Sequence, residues 1–413
     1  MDDHREAPTA VAMPPAGLVV PQFLGRRGAL FALVLKTMGL TLLTLGIYRF
    51  WAKTRLRRYF WGNVLIAGEP LEYTGKATEL LIGFLIVIAV LVPLSVASTM
   101  LGVLAEGGPK WLSLSFNIAY IFVLVFLIDF ATYRMWRYRL TRTRWRGIRF
   151  GMENDALKYA GRAFLWRLGQ VLSLGFITPW ARLDLAKFRV VRMRLGNVAF
   201  AMDGPVDPLF MRWLGVWAIP LAIVVGVMAF GSGGVVAALL QTLRVPVATP
   251  GIAIAAAAIA IAFAVGFILF VFYRIFEGRY LLGLTTVGGA KLDSTLRARS
   301  IVPAYVLAWA ILLVLFAVVI ETIAFSVVEL AMKGMLSSAE QVAGMVGSVA
   351  AFGLMLVLSP LVTYPIAVFQ TVRHVWTTLS IHDIGALDRV VQAPAEEPRF
   401  GEGLADALDV GAI

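Results

Sequence analysis

The chain has 413 residues, 60% of them hydrophobic and 15% charged, with a formal net charge of +12 and a mean hydropathy of +0.82. A soluble globular domain is nearer a quarter charged, and a soluble core of this size could not bury so much apolar surface, so lipid is the solvent for much of the chain. There is no cysteine, which excludes disulfides, thiol catalysis, iron–sulfur clusters and zinc-thiolate sites together.

Residues 1–21 are polar and include Asp2, Asp3 and Glu6. They lack the cationic start and apolar stretch of a secretory signal and read as a disordered cytoplasmic tail. The sequence beyond them is organised by Thr44–Tyr59 (TLGIYRFWAKTRLRRY), which sets aromatics and five cations, with no acid, behind an apolar run. A second version lies at Leu174–Arg189 (LGFITPWARLDLAKFR) and a weaker third at Leu361–Trp376. Gly28–Ile47 and Gly161–Ile177, which precede or overlap the first two versions, are apolar but carry cations on both flanks, and Lys36 and Arg167 inside. A full crossing would strand a basic block outside, so both segments are expected to re-enter or lie in the interface, bending at Gly46 and at Gly175/Pro179. Two ordinary crossings are the alternative that hydropathy allows. After the second bend Ala181, Leu185, Phe188, Val191 and Leu195 share one helical face, which predicts a basic amphipathic helix along the headgroups.

Apolar stretches at about Leu80–Leu104, Leu112–Ala131, Met211–Phe230, Gly251–Tyr273, Ile301–Leu330 and Gly344–Phe369 each approach or exceed the roughly 20 residues of a crossing helix. They pair into three hairpins with cation-poor connections. The remaining connections are basic: Arg134–Arg149 holds seven arginines and no acid, and Arg182–Arg194 holds five cations against Asp184. The Lys/Arg bias places these blocks, and both termini, in the cytoplasm.

A second repeat follows the basic stretches. Arg58, Arg137 and Arg279 each begin an Arg-Tyr pair, with a glycine ten residues on (Gly68, Gly147, Gly289) and an apolar residue three further (Leu71, Phe150, Leu292). The glycine and the alternation around it predict a short β-hairpin. The expected fold is an all-α multi-pass membrane protein. It would have about six transmembrane helices in three hairpins, two re-entrant or interfacial helical segments, and short cytoplasmic β-hairpin-like elements. Internal repeats divide it into units of about 22–149, 150–291 and 292–392, and residues 393–413 read as a disordered acidic tail.

TLGIYRFWAKTRLRRY, followed by GEPLEYTGKATEL at Gly68–Leu80, resembles the YjgN-like family, and DSTLRAR at Asp293–Arg299 is similar to that family's third unit. The likeness covers roughly Gln22–Val391. It implies a bacterial inner-membrane protein and an architecture, but no activity, since the family is named as a domain of unknown function. The third unit departs from the pattern: the compact LGxxxPWA form is missing, and only Pro365 and Arg373 remain of it.

No catalytic constellation is present: the sequence has no GxxxxGK[ST], GxSxG or HExxH. His374 and His382 lack the paired carboxylates of a metal site, and no cofactor is implied. A carboxylate at depth in a membrane is costly, so Glu321 reads either as a relay site beside Lys36 or Arg167, or as a helix-end residue. Asp129 is expected to partner Arg134. The functional expectation is a non-enzymatic protein whose basic cytoplasmic face, Arg55, Arg57, Arg58, Arg142, Arg144, Arg146, Arg182, Lys187 and Arg189, grips anionic lipid headgroups. The rival is a transporter or channel for a small solute or ion, with Lys36, Arg167 and Glu321 along its route. Positive-inside bias explains the cations without a nucleic-acid partner; a second copy of the chain or another membrane protein are the candidate protein partners.

Overall fold

The computed structural model describes residues 17–105, 108–230, 250–332 and 358–393, with 347, 353 and 355 as isolated positions between. Strand β1 (Gln22–Phe23) leads into helices α1 (Arg27–Leu43) and α2 (Arg49–Gly62). Strand pairs and helical pairs then alternate. β2 (Val64–Ile66) and β3 (Glu69–Tyr73) precede α3 (Ala77–Ala105) and α4 (Lys110–Thr141). β4 (Thr143–Trp145) and β5 (Ile148–Met152) precede α5 (Ala156–Leu172) and α6 (Thr178–Val190). β6 (Met193–Leu195) and β7 (Val198–Met202) precede α7 (Asp207–Phe230) and α8 (Pro250–Gly283). β8 (Thr285–Val287) and β9 (Ala290–Ser294) precede α9 (Ala298–Met332). A helical turn at Pro360–Thr363 and a π-helical turn at Tyr364–Val368 then run into α10 (Phe369–Thr377), and β10 (Leu379–His382) follows.

The expectation of an all-α fold is overturned by the strands. The β-hairpins anticipated at Gly68, Gly147 and Gly289 are not separate surface elements: ten antiparallel strands form one curled sheet in the order β1 to β10. Its two ends meet, because Val19, just ahead of β1, donates its N–H to the Ile381 carbonyl at 2.9 Å and accepts from the Ile381 N–H at 2.8 Å. The expected disordered tail is thus described from Gly17 onward as a bound segment. The signal missed in the sequence is the shortness of the strands: three to five residues between long helices leave hardly one period of alternation to read.

The turns explain why these residues make hairpins. Ala67 and Gly68 have φ of 51° and 82°, Arg146 and Gly147 52° and 75°, Gly288 and Gly289 56° and 98°. Two consecutive positive φ angles match the right-handed twist of the flanking strands, and glycine takes the second at no steric cost. The sheet interior is filled. Val64, Leu71, Trp145, Leu195, Val287 and Ile381 form one buried cluster, joined by Leu387 and Val390 of the segment after β10. That segment lies across the turns: Val391 exchanges hydrogen bonds with Asn197, Gln392 accepts from the Arg149 N–H at 2.8 Å, and Asp388 pairs with Arg146 at 2.8 Å.

The helices come in two lengths of hairpin. Among the described residues five helices are long and apolar enough to cross a membrane: Ala77–Leu104, Trp111–Thr141, Asp207–Gly226, Ala256–Gly283 and Ala298–Ala317. Their large side chains face outward, as with Val90, Leu104, Phe263 and Leu313, which suits a lipid solvent. Much of the first half of the sixth expected crossing, Gly344–Phe369, lies outside the described residues, as does the expected tail beyond Ala393.

The short pairs α1–α2 and α5–α6 leave the sheet and return to it. Leu24 donates to the Asn63 carbonyl at 2.8 Å, and Glu153 donates to the Arg192 carbonyl at 3.2 Å, so both feet of each pair are joined. Each turns back on the same Leu-Gly step, with φ of 49° and 92° at Leu45–Gly46 and 51° and 84° at Leu174–Gly175. The basic amphipathic stretches are therefore the return arms α2 and α6 of these hairpins rather than independent surface helices. The face predicted for α6 stops early: Ala181 and Phe188 are buried, Val191 is exposed, and Leu195 already belongs to β6. In α1 the buried side is Leu30, Val34 and Thr37 at helical spacing, and it packs on Leu56 and Phe60 of α2 and on Phe369 and Val372 of α10.

Gly196 has φ of 53°, and a Cβ there would sit 2.2 Å from the Val391 carbonyl oxygen. Gly196→Ala should cost about 1–3 kcal/mol and free the segment after β10, read as a lower Tm and faster proteolysis beyond Ile381. Gly39→Ala, in open space within α1, should leave both unchanged.

Candidate functional site at the feet of the helical hairpins

The nine cations expected to face lipid are spread over α2, the segment from the end of α4 to the β4–β5 turn, and α6. Arg55, Arg57 and Arg58 sit on α2. Arg57 is buried, donates to the Tyr73 hydroxyl at 3.2 Å and stands over its ring. Arg55 is exposed, with its guanidinium 5.4 Å from the Tyr48 ring centre. Arg58 is exposed and donates to the Gly75 carbonyl at 3.1 Å. Arg55, Arg58 and Lys76 line a groove of about 300 Å³ between α2 and the start of α3, together with Trp51, and among the described residues no acid lines it. The sequence reading missed Lys76, which is separated from α2 by the β2–β3 hairpin and reaches the groove only through the fold.

The other six are more constrained. Arg142 pairs with Glu79 of α3 at 2.7 Å. Arg144 lies in register with Glu72 across the sheet. Arg146, in the β4–β5 turn, pairs with Asp388 and stacks 4.6 Å over Trp145. Arg182 lies 3.8 Å from Glu277, which Arg274 also holds at 2.6 Å. Lys187 meets Asp203 at 2.9 Å, and Arg189 stands 5.1 Å over Trp136. The block between Arg134 and Arg149 is free of acid only along the chain; Glu79 of α3 and Asp388 from beyond β10 reach it through the fold.

Of the three residues expected at depth, Arg167 has a carboxylate partner. Arg167 makes a two-pronged pair with Asp129, both contacts at 2.7 Å, and the Asp129 carboxylate is buried. This replaces the expected pairing of Asp129 with Arg134, whose guanidinium instead stands over Phe130. Lys36 is exposed on α1. Glu321 is exposed on α9, and the helical rise from Ala298 to Glu321 is about 34 Å. That exceeds the roughly 30 Å of a hydrocarbon core, so a crossing that starts at Ala298 carries Glu321 to its far boundary.

The tip of α5–α6 raises a problem of polar satisfaction, because a carbonyl without a partner is costly in lipid. Two tryptophans of α7 meet it: Trp213 donates its indole N–H to the Gly175 carbonyl at 3.0 Å, and Trp217 donates to the Leu174 carbonyl at 3.1 Å. Spaced by four residues, both lie on one face of α7, which is the signal the sequence offered. At the foot of the same hairpin, hydrogen bonds from Arg192 and then Lys158 hold the Asp155 carboxyl below the usual carboxylate range. Burial alone would raise the Asp184 carboxyl, but hydrogen bonds from Arg162 and Trp166 outweigh it and hold it low as well.

These elements define a membrane protein of helical hairpins standing on a curled sheet. The chain belongs to the family described as bacterial protein of unknown function (DUF898), which matches residues 20–407. It is similar to the inner membrane protein YjgN of Salmonella typhimurium, with 28% identity over 131 residues, 32% of this chain and 30% of that protein. The match thus spans less than a third of the relative. No solved structure matches the chain.

Trp217→Phe should remove the indole donor to the Leu174 carbonyl at a cost of about 1–3 kcal/mol, read as a lower Tm of the purified protein; the Gly175 carbonyl, which also accepts from the Thr178 N–H and hydroxyl, should tolerate Trp213→Phe better. Trp309→Phe, at an exposed position on α9, should leave Tm unchanged. Asp155 and Asp184 have depressed folded pKa values, so their contribution is present above the ordinary carboxylate pKa of about 4 and is lost as pH falls through the folded values. Below about pH 4 Tm should fall more steeply for the wild type than for the Asp155→Asn/Asp184→Asn variant.

Proposed function

We propose that the chain is a multi-pass inner-membrane protein, with its sheet and both termini in the cytoplasm, whose basic sheet-side surface binds anionic lipid headgroups. The observation that carries the reading is the groove bordered by Arg55, Arg58, Lys76 and Trp51 with no acid among the described residues, at the foot of the strongly apolar α3. Cations beside an interfacial aromatic, where a span leaves the bilayer, suit phosphate headgroups. The orientation is supported by the Lys/Arg content of the sheet-side connections. The relative's name as an inner membrane protein supports the compartment. The reading assigns no reaction. The pairing of Arg167 with Asp129 occupies one of the three residues of the rival transport reading.

The test is lipid selectivity of the full chain in bilayers. Spin-labelled phosphatidylglycerol should show a larger motionally restricted fraction than spin-labelled phosphatidylcholine, and Arg55→Gln/Arg58→Gln/Lys76→Gln should shrink the difference. Equal fractions for the two lipids in the wild type would overturn the proposal.

A further inference from the structure

A second basic groove lies where three spans meet the sheet. It opens between the start of α7, the end of α8 and the start of α9, has a volume of about 550 Å³, and carries Arg212, Arg279, Arg297 and Arg299. These come from separate elements: Arg212 from the second turn of α7, Arg279 from the last turns of α8, and Arg297 and Arg299 from either side of the first residue of α9. All four are exposed, and among the described residues no acid lines the groove. Elsewhere the sheet-side cations find acids from other elements, as Arg142 finds Glu79, Arg146 finds Asp388, Lys187 finds Asp203 and Arg194 finds Glu153. Among the described residues none of the four arginines has such an ion pair.

The rest of the wall is apolar, with Val216, Leu269 and Phe272 continuing along the spans. Arg212 lies 3.5 Å over the Phe276 ring, which fixes its guanidinium at the rim. The first turn of α9 contains no acid, so its positive helix end adds to the field. Four like charges in one groove repel one another unless an anion joins them. The combination calls for a ligand with an anionic head and an apolar body of bilayer depth.

We propose that this groove is a discrete site for one anionic glycerophospholipid, its phosphate held by Arg212, Arg279, Arg297 and Arg299 and its acyl chains laid along α7 and α8. The site rests on the reading of a membrane-embedded chain whose sheet side meets anionic lipid, but it uses none of the cations assigned to that surface. Guanidinium forks match phosphate oxygens, and several such contacts distinguish a retained lipid from the exchanging annulus.

Native mass spectrometry of the full chain, released from detergent with phosphatidylglycerol or phosphatidylcholine added, tests it. One phosphatidylglycerol per chain should survive activation that strips phosphatidylcholine. Changing all four arginines to Gln should lower its retention by roughly tenfold or more, since charge-assisted contacts to phosphate are lost. Arg212→Gln/Arg279→Gln and Arg297→Gln/Arg299→Gln, assayed separately, keep the test readable if the fourfold variant does not fold. Changing all four to Lys should restore part of the retention, as a merely structural role would not. Unchanged retention in both paired variants, equal retention of the two lipids, or displacement of phosphatidylglycerol by millimolar inorganic phosphate would each overturn the site. The Arg55→Gln/Arg58→Gln/Lys76→Gln variant should keep its retained lipid. Retention with loss of annular selectivity in the wild type would sink only the broader reading, and the reverse only this site.

Discussion

The two backbone hydrogen bonds between Val19 and Ile381 hold the ends of the ten-stranded sheet together, and the placement of the helices depends on that closure. Strands of two to five residues are marginal as isolated hairpins. They persist because each contributes to one shared apolar cluster and because curling leaves little open edge. Helical arms that stand on the sheet pack on one another, α4 on α5 and α7 on α8 among them, and both basic grooves, at Arg55/Arg58/Lys76 and at Arg212/Arg279/Arg297/Arg299, lie near their feet.

Charge is distributed by the same geometry. The basic blocks are dense along the chain, but the sheet brings strands and helix ends from distant parts of the chain side by side, so acids spaced far off in sequence become neighbours. Glu79 meets Arg142 across 63 positions and Asp388 meets Arg146 across 242. The result is a partly neutralised collar with a few positions where positive charge stays open to solvent. Counting cations in a segment therefore overstates what that segment can offer to lipid, and pairing in space decides it.

Much of this was legible in the residues. The Arg-Tyr and glycine repeat marked three of the hairpin turns, because a two-residue turn with positive φ leaves a fixed spacing. The Leu-Gly steps marked the returns of the two short hairpins, because cations on both flanks made a crossing costly. The joining of the strands into a sheet was not legible, since β4 and β6 have three residues each and no period can be measured over three. The fourth turn, Gly196–Asn197, escaped the repeat because its glycine occupies the first central position rather than the second. The partner of Asp129 was misjudged because helical spacing favours Arg134, while α5 delivers Arg167 from 38 positions away. Lys76 and the four arginines of the second groove are scattered over separate elements, and only the fold collects them.

The tryptophans over the α5–α6 tip have a bearing on biogenesis. Gly175 and Leu174 leave the ribosome before Trp213 and Trp217, which follow 38 and 43 positions later. Until α7 has been made, the Leu174 carbonyl lacks its indole donor, while the Gly175 carbonyl already accepts from Thr178. Completion of the turn is thereby coupled in time to synthesis of the helix that follows it.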